Sequence, residues 1–345
     1  MESILVTGAS GLIGRRVVAL LASRDARVYA LARGAVDSGS VQWLRGDVTV
    51  GGLALGRDDR SRLMRDVTTV VHLAANTSFS QSLEDARVIN THGTRHLLEL
   101  STEFPNVSRW VYVSTAFVAG LRTGSILEDE PPATMWANAY EQSKAEAEEL
   151  VRRARTDWVI ARPATIVCDD TSGAISQHNA VHRALRLYFG GLASMLPGSD
   201  SSRVDVVTTG YVARGIAQAA LAPGLERRTL HLCAGNGAMS LDEMLDRAYE
   251  IFHAAPAWRR KAIARPVRTD LETYRLFERA AQDAGSQRVK QALRSLSHFV
   301  PQLAYPKLFD TTSADHLLGA SAPTVASFWS RMVERLVGTE VKEAA

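Results

Sequence analysis

Tyr140 and Lys144 stand four residues apart in "NAYEQSKAEAEEL" (138–150), a stretch rich in the helix formers Ala and Glu. On a helix that spacing sets a phenol and an ammonium on one face, one turn apart. A phenol with its ordinary pKa near 10 is a poor proton donor or acceptor at neutral pH. An ammonium one turn away stabilises the phenolate and lowers that value, which suits the pair to general acid–base work. The same ammonium can hydrogen-bond a ribose. A third group comes from "VYVSTAFVAG", where Ser114 and Thr115 end an apolar run. The Thr115 hydroxyl can hold a substrate oxygen beside the phenol. Without these companions, Tyr140 would pack on a sheet edge and Lys144 would pair with Glu148 along the helix.

Elements must bring these groups together. "ILVTG" (4–8), "RVYALAR" (27–33), "TTVVHLAA" (68–75), "RWVYVSTA" (109–116) and "DWVIARPATIV" (157–167) read as strands. Helices are expected at about 13–23, about 84–102 and along the 138–150 stretch. Runs that are apolar throughout, with helices between them, predict a parallel sheet covered on both faces: a doubly wound α/β fold. After Cys168 the rhythm changes, and the amphipathic "AVHRALRLYFGGL" follows. "RVDVVTTGYVARGIAQAAL" (203–221) and "RTLHLCAG" (228–235) return to strand, helix and strand. "SLDEMLDRAYEIF" (240–252) is a one-sided helix. The expectation is a Rossmann domain of residues 1–168 with 203–236. A smaller helix-rich substrate cap takes 169–202 with 237–345.

"TGASGLIG" sets glycines at 8, 11 and 14 between the first strand and the first helix. Gly8 permits the sharp turn, Gly11 lets backbone approach a pyrophosphate, and Gly14 lets the helix pack on the sheet. Free N–H groups and partial positive charge at the helix start favour phosphate there. With Thr7, Ser10, Leu12 and Ile13, these residues form the expected dinucleotide-binding turn. At the end of the second strand, Asp or Glu would bind ribose hydroxyls, whereas Arg favours a 2′-phosphate. "ALARGA" places Arg33 there, with no acid before Asp37, so NADP(H) is the expected cofactor. Arg15 and Arg16 are candidates to add positive charge near that phosphate, and Asp47-Val48 to border the adenine.

Bulk properties narrow the class. The 345 residues are 46% hydrophobic and 22% charged, as in ordinary globular proteins, and a formal net charge of +3 argues for neither nucleic acid nor membrane. Only Cys168 and Cys233 occur, without metal-ligand spacing, which predicts a reducing, cytoplasmic setting. No run of eighteen or more apolar residues spans a membrane. The first apolar run enters a Gly-rich turn and reads as a strand, not a leader. His92 and His96 have the i, i+4 spacing of a zinc pair but no obvious third ligand, so no metal is expected. Arg152, Arg153, Arg155 and the basic run 259–268 read as a solvated face, or as a dock for an acidic carrier protein. Leu185, Leu187, Tyr188, Phe189, Leu192 and Met195 either line an acyl channel or fill the cap core.

Together "TGASGLIG", "HLAA" (72–75), "STA" (114–116), "YEQSK" (140–144) and "RPATIV" (162–167) resemble, in order and spacing, an extended short-chain dehydrogenase/reductase over residues 1–235. The resemblance implies Thr115, Tyr140 and Lys144 as the catalytic trio, Thr115 standing where many relatives carry Ser. It implies that Asn90, in "VINTHGT", supports the active-site helix. Leu73, Ala74 and Ala75 would border the cofactor, and Pro163, Thr165 and Ile166 would meet its nicotinamide.

Within that family, "GDVTVGGLALGRDD" (46–59) and "VVHLAANTSFSQSLEDARVINTHGTRHLLELS" resemble the thioester reductases and fatty acyl reductases. "LALG" replaces the usual "LGL" and Phe117 the commoner Tyr, and neither departure touches chemistry. "LAYPKLFDTTSADHLLG" (303–319) also resembles the end of that branch. The implied activity is NADPH-dependent reduction of an acyl thioester to aldehyde or alcohol, with any carrier protein acting in trans. A ketone or aldehyde reductase would use the same trio. A sugar-nucleotide dehydratase would carry acids after the strand-end Thr, where Ala116 and Phe117 stand. A non-catalytic NADP-binding sensor would often have lost the Tyr or the Lys.

Overall fold

The structure, a computed structural model, describes residues 2–34, 41–297 and 299–343. Seven strands form one parallel sheet: β1 (Ser3–Thr7), β2 (Arg27–Ala32), β3 (Gln42–Arg45), β4 (Thr69–His72), β5 (Arg109–Val113), β6 (Asp157–Pro163) and β7 (Arg228–Leu232). Their order is β7-β6-β5-β4-β1-β2-β3. The chain runs outward from β1 in one direction, then returns to β4 and runs outward in the other. The direction reverses between β1 and β4, which opens a crevice at the carboxyl ends of the strands.

Both faces of the sheet are buried, as the unbroken apolar runs predict. Ile4 and Val6 face one core with Val17, Leu21, Val212 and Ile216 from the helices Leu12–Ala22 and Thr209–Leu221. Leu5, between them in sequence, faces the other with Leu97, Trp110, Tyr112 and Val151. The period-2 alternation is present, but both phases are apolar, so it is invisible as amphipathicity. The first core runs without a break into Phe252, Trp258 and Val333. The helix-rich C-terminal segment therefore shares a core with the sheet. No helix among the described residues is long and apolar enough to cross a membrane.

Two expected elements are divided. The 157–167 run stops at Pro163, and Thr165–Cys168 pairs separately with Val206–Thr208. Proline has no N–H to donate, so a ladder cannot continue unbroken through it. The 84–102 helix consists of Leu83–Arg87, a π-type turn Val88–His92 and the helix Gly93–Ser101. Two three-residue strand pairs lie outside the predicted pattern: Met195–Pro197 with Val267–Thr269, and Gly124–Ile126 with Lys307–Phe309.

Candidate active site

The turn after β1 is built so that side chains are excluded from it. Gly8 has φ +68°, and a Cβ there would lie 2.6 Å from the Ala74 nitrogen. A Cβ on Gly14 would lie 2.1 Å from the Gly8 carbonyl oxygen. Gly11 donates to that same oxygen (3.0 Å) and begins the helix Leu12–Ala22 with no side-chain cap. The first-turn N–H groups therefore remain available to a phosphate, and Ser10, Leu12 and Ile13 border the same turn.

The ends of β1 and β4 are tied together by side chains. Thr94 Oγ1 donates to the Asn90 carbonyl (2.6 Å), so it accepts from His72 Nε2 (3.0 Å). His72 Nδ1 then accepts from the Thr7 hydroxyl (2.6 Å). Burial, with the nearby Lys144 charge, pulls the imidazole down to about 3, so it is neutral. The Ala74 amide also donates to Thr7 (3.4 Å), which fixes Leu73, Ala74 and Ala75 beside the glycine turn.

Arg33 follows β2 and is exposed, and Asp37 lies outside the described residues. Asp47 Oδ1 accepts from the Thr49 amide (2.9 Å) and hydroxyl (2.8 Å). The amide bond chiefly holds the carboxyl below its usual range, and Arg33 contributes its charge. Val48 is buried against Gly93, and its carbonyl oxygen lies 3.0 Å from His96 Nδ1. His96 thus anchors this loop. Arg15 donates to the Ser10 carbonyl (2.9 Å), and Arg16 faces Asp169 at 3.8 Å. Both of these arginines have local partners of their own.

Asn138 caps the helix Ala139–Arg152, accepting from the Glu141 amide (3.1 Å). Glu141 reaches back to the Asn138 side chain (2.9 Å) and the Ala137 amide (2.9 Å), a reciprocal cap. Tyr140, in the first turn, is buried beside the Thr115 hydroxyl and packed on Phe79 with ring centroids 5.3 Å apart. Thr115 begins the short helix Ala116–Ala119, where its hydroxyl accepts from the Phe117 amide (3.3 Å). Lys144 is fully buried. Its Nζ donates to the Val113 carbonyl (2.8 Å) and lies 4.2 Å from the centre of the Tyr112 ring.

Asn90 sits inward on the π-type turn, an insertion often found at functional sites. It donates to the Asn76 carbonyl (3.0 Å) and Ser143 Oγ (2.9 Å), and accepts from the Asn76 amide (2.8 Å). It therefore clamps the loop after β4 to the Tyr140 helix.

Two electrostatic expectations need correction. Lys144 was expected to lower the Tyr140 pKa, yet burial pushes the phenol up to about 12, and Thr115 is the group that pulls against it. Burial also brings Lys144 down to about 7. The Lys144–Glu148 pair is displaced: Glu148 accepts two bonds from Arg162 (2.9 and 2.8 Å), with Arg152 3.5 Å away. A guanidinium fork matches a carboxylate better than a lysine ammonium does.

A cavity opens beside Ala116 and Phe117, with Thr165, Asp205, Gln302 and Lys307 in its wall. A second is lined by Leu185, Tyr188, Leu196, Met244 and Trp329. The two share Val204, Phe299 and Leu303. The 181–196 stretch divides accordingly: Leu185 and Tyr188 line the cavity, whereas Phe189 stacks on Trp258. Sequence reasoning passed over Asp205, Gln302, Lys307 and Glu141. Only Glu141 carries a local signal, its place three residues after the capping Asn138.

The family model described as male sterility protein matches residues 35–216, more than half of the chain. The fatty acyl-CoA reductase wat of Drosophila melanogaster is 39% identical over 74 residues, 21% of this chain and 14% of the fly protein. The hybrid PKS-NRPS synthetase pydA of an Acremonium species is 27% identical over 235 residues, 62% of this chain and 5% of the fungal one. The chain thus matches only a small fraction of the length of either relative. The terminal R domain from the myxalamid PKS-NRPS biosynthetic pathway superposes with a TM-score of 0.79 at 25% identity, covering 99% of this chain and 92% of that domain. The glycine turn, the parallel sheet and these likenesses agree: the chain belongs to the male sterility protein family and is an NAD(P)-binding oxidoreductase of the extended short-chain dehydrogenase/reductase type.

Proposed function

We propose that the chain uses NADPH to reduce an acyl thioester, linked to CoA or to a carrier protein, to an aldehyde or alcohol. One observation carries this reading: the Thr115 hydroxyl, at the carboxyl edge of the sheet, acts on the buried Tyr140 phenol, and a cavity opens from the next two residues. The likeness to the myxalamid R domain and the fly acyl-CoA reductase supports the thioester as substrate.

The cofactor fits the residues present. Side chains are excluded at Gly8 and Gly14, and the uncapped first turn offers N–H groups to the pyrophosphate. The exposed Arg33 takes the 2′-phosphate, while Asp47-Val48 border the adenine. Asn90 keeps the Tyr140 helix in place, and Lys144 holds the ribose hydroxyls. Pro163, Thr165 and Ile166 meet the nicotinamide. Residues 169–202 with 237–345 cover the substrate. The free, buried Cys168 and Cys233 suit a reducing cytoplasm.

The bound nicotinamide supplies the hydride. Tyr140, kept protonated by burial, donates its proton to the carbonyl oxygen as charge develops there. The Thr115 hydroxyl steadies the same oxygen. The resulting hemithioacetal expels its thiol to leave an aldehyde, and a second round gives the alcohol.

Absorbance-monitored NADPH oxidation with acyl-CoAs, aldehydes and ketones, and NADH as control, tests the reading. Thioester turnover with aldehyde or alcohol product is expected. Turnover of aldehydes or ketones alone would remove the thioester. Arg33→Ser is expected to reduce the preference for NADPH over NADH by about tenfold or more, the weight of a hydrogen bond to a charged group.

Lys144 is charged below about 7 and neutral above it in the free chain. The ratio kcat/KM for NADPH, which reports free-enzyme ionisations, should therefore fall as pH rises through about 7. Lys144→Met should lower it and flatten the profile. A wild-type profile already flat from about pH 6 to about pH 9 would remove Lys144 from the ribose.

A further inference from the structure

Lys307 occupies an unusual place for a lysine. It lies in the wall of the cavity that opens beside Ala116 and Phe117, on the short strand paired with Gly124–Ile126. Its ammonium donates to Gln302 Oε1 (3.0 Å) and the Tyr305 carbonyl (3.0 Å), which engages two of its three protons. Gln302 donates onward to Glu141 Oε1 (2.6 Å), the carboxylate next to Tyr140 in sequence. The position of Lys307 is thereby referred to the Tyr140 helix. Burial lowers the ammonium to about 8, so it remains mostly charged at neutral pH.

A role as counter-ion accounts for a cation near Glu141. It does not account for that cation forming part of a cavity wall. Asp205 lines the same cavity. Its two oxygens accept from the Ala234 (2.7 Å) and Gly235 (2.9 Å) amides, and each keeps a lone pair. Beyond Val204, Phe299 and Leu303 the second cavity is lined almost wholly by apolar side chains. The cavity beside Ala116 and Phe117 therefore carries Lys307 and Asp205 in its wall, and the cavity on the other side of Val204, Phe299 and Leu303 is apolar.

We infer that this pocket reads a hydroxyl or amide placed close to the reacting carbonyl. The substrate class is an acyl thioester with such a group near the thioester and an apolar chain beyond it. Lys307 donates to the group and Asp205 accepts from it. An unsubstituted acyl chain would leave the third Lys307 proton and the remaining Asp205 lone pairs without a partner in a filled cavity. Sites built to hydrogen-bond a substrate discriminate against analogues that lack the group. The inference rests on the thioester reading above, and its test separates the two.

The test compares octanoyl, 3-hydroxyoctanoyl and N-hexanoylglycyl CoA thioesters, with the three matching aldehydes, on the full chain with NADPH. One polar thioester, or both, should exceed octanoyl in kcat/KM by about ten- to a hundredfold. The hydroxyl and amide arms show which of the two groups is read. Lys307→Met should bring that ratio close to one. Asp205→Asn is the weaker variant, because Asp205 also holds the Ala234–Gly235 turn. A wild-type ratio near one overturns the inference. So does Lys307→Met lowering all substrates in proportion, which is what a purely structural lysine would do. Preference among aldehydes with inert thioesters would sustain the pocket and remove the thioester. Should neither class turn over, the order of dissociation constants of the three alcohols decides.

Discussion

Tyr140→Phe is expected to lower kcat by about a hundred- to ten-thousandfold while leaving NADPH affinity nearly unchanged. The ring stays where it is, because its packing on Phe79 needs no hydroxyl. The atom lost is the phenol oxygen beside Thr115, whose proton the proposed mechanism transfers to the substrate oxygen. Burial favours the neutral phenol, which makes Tyr140 a donor in the reductive direction and a poor base at neutral pH. NADPH binding followed by fluorescence, and the thermal midpoint, should match the wild type. Retention of more than about a tenth of the rate would take the proton-donor role from Tyr140. Thr115→Ser keeps both the hydroxyl and the cap to Phe117 and should retain most activity, whereas Thr115→Ala removes the two together. Loss of turnover with intact binding would also separate an enzyme from an NADP-binding sensor.

How much of this could be read from the sequence depends on the range of the forces involved. Five of the six sheet strands before Cys168 were legible because burial on both faces makes a parallel strand apolar at every position, whereas the edge strand β3 is largely exposed and carries no such run. The glycine turn was legible because Gly8 and Gly14 answer contacts within a few residues or at the adjoining strand end. The Tyr140–Lys144 spacing was legible as a helix face. Nothing local marks the π-type turn that aims Asn90 at Ser143 and the Asn76 backbone. Strands as short as Lys307–Phe309 carry too few residues for any period, and their partner lies far back in the chain. The pKa directions were misread for a related reason. The i, i+4 rule describes a helix surface in water, but Lys144 and Glu148 are both buried, where desolvation and the strands beneath them decide.

That misreading leads to the largest stability effect expected in the molecule. Glu148 is 0% and Arg162 2% exposed, and two hydrogen bonds join them. Arg162 also donates to the Glu130 carbonyl (3.0 Å) and lies 3.4 Å from His231 Nε2. His231 Nδ1 faces the Asp310 carbonyl at 2.8 Å, so Nδ1 carries the proton and Nε2 accepts from Arg162. Burial holds this imidazole down to about 4, in the neutral form that the arrangement needs. Glu148→Gln would leave the Arg162 charge buried and only partly compensated, which costs about 3–5 kcal/mol. That is a large part of the ~5–15 kcal/mol by which a folded domain is stable. Denaturant unfolding of the purified chain measures it. The double variant Glu148→Leu with Arg162→Met should recover most of the loss, since apolar replacement of a whole buried pair is often neutral or stabilising. If Glu148→Gln and the double variant unfold alike, the pair contributes through packing and not through charge. Activity should respond as well, because the Glu148 charge opposes the lowering of Lys144 by burial. In Glu148→Gln the fall of kcat/KM for NADPH should therefore move to lower pH, in a chain whose Tyr140 and Thr115 are untouched.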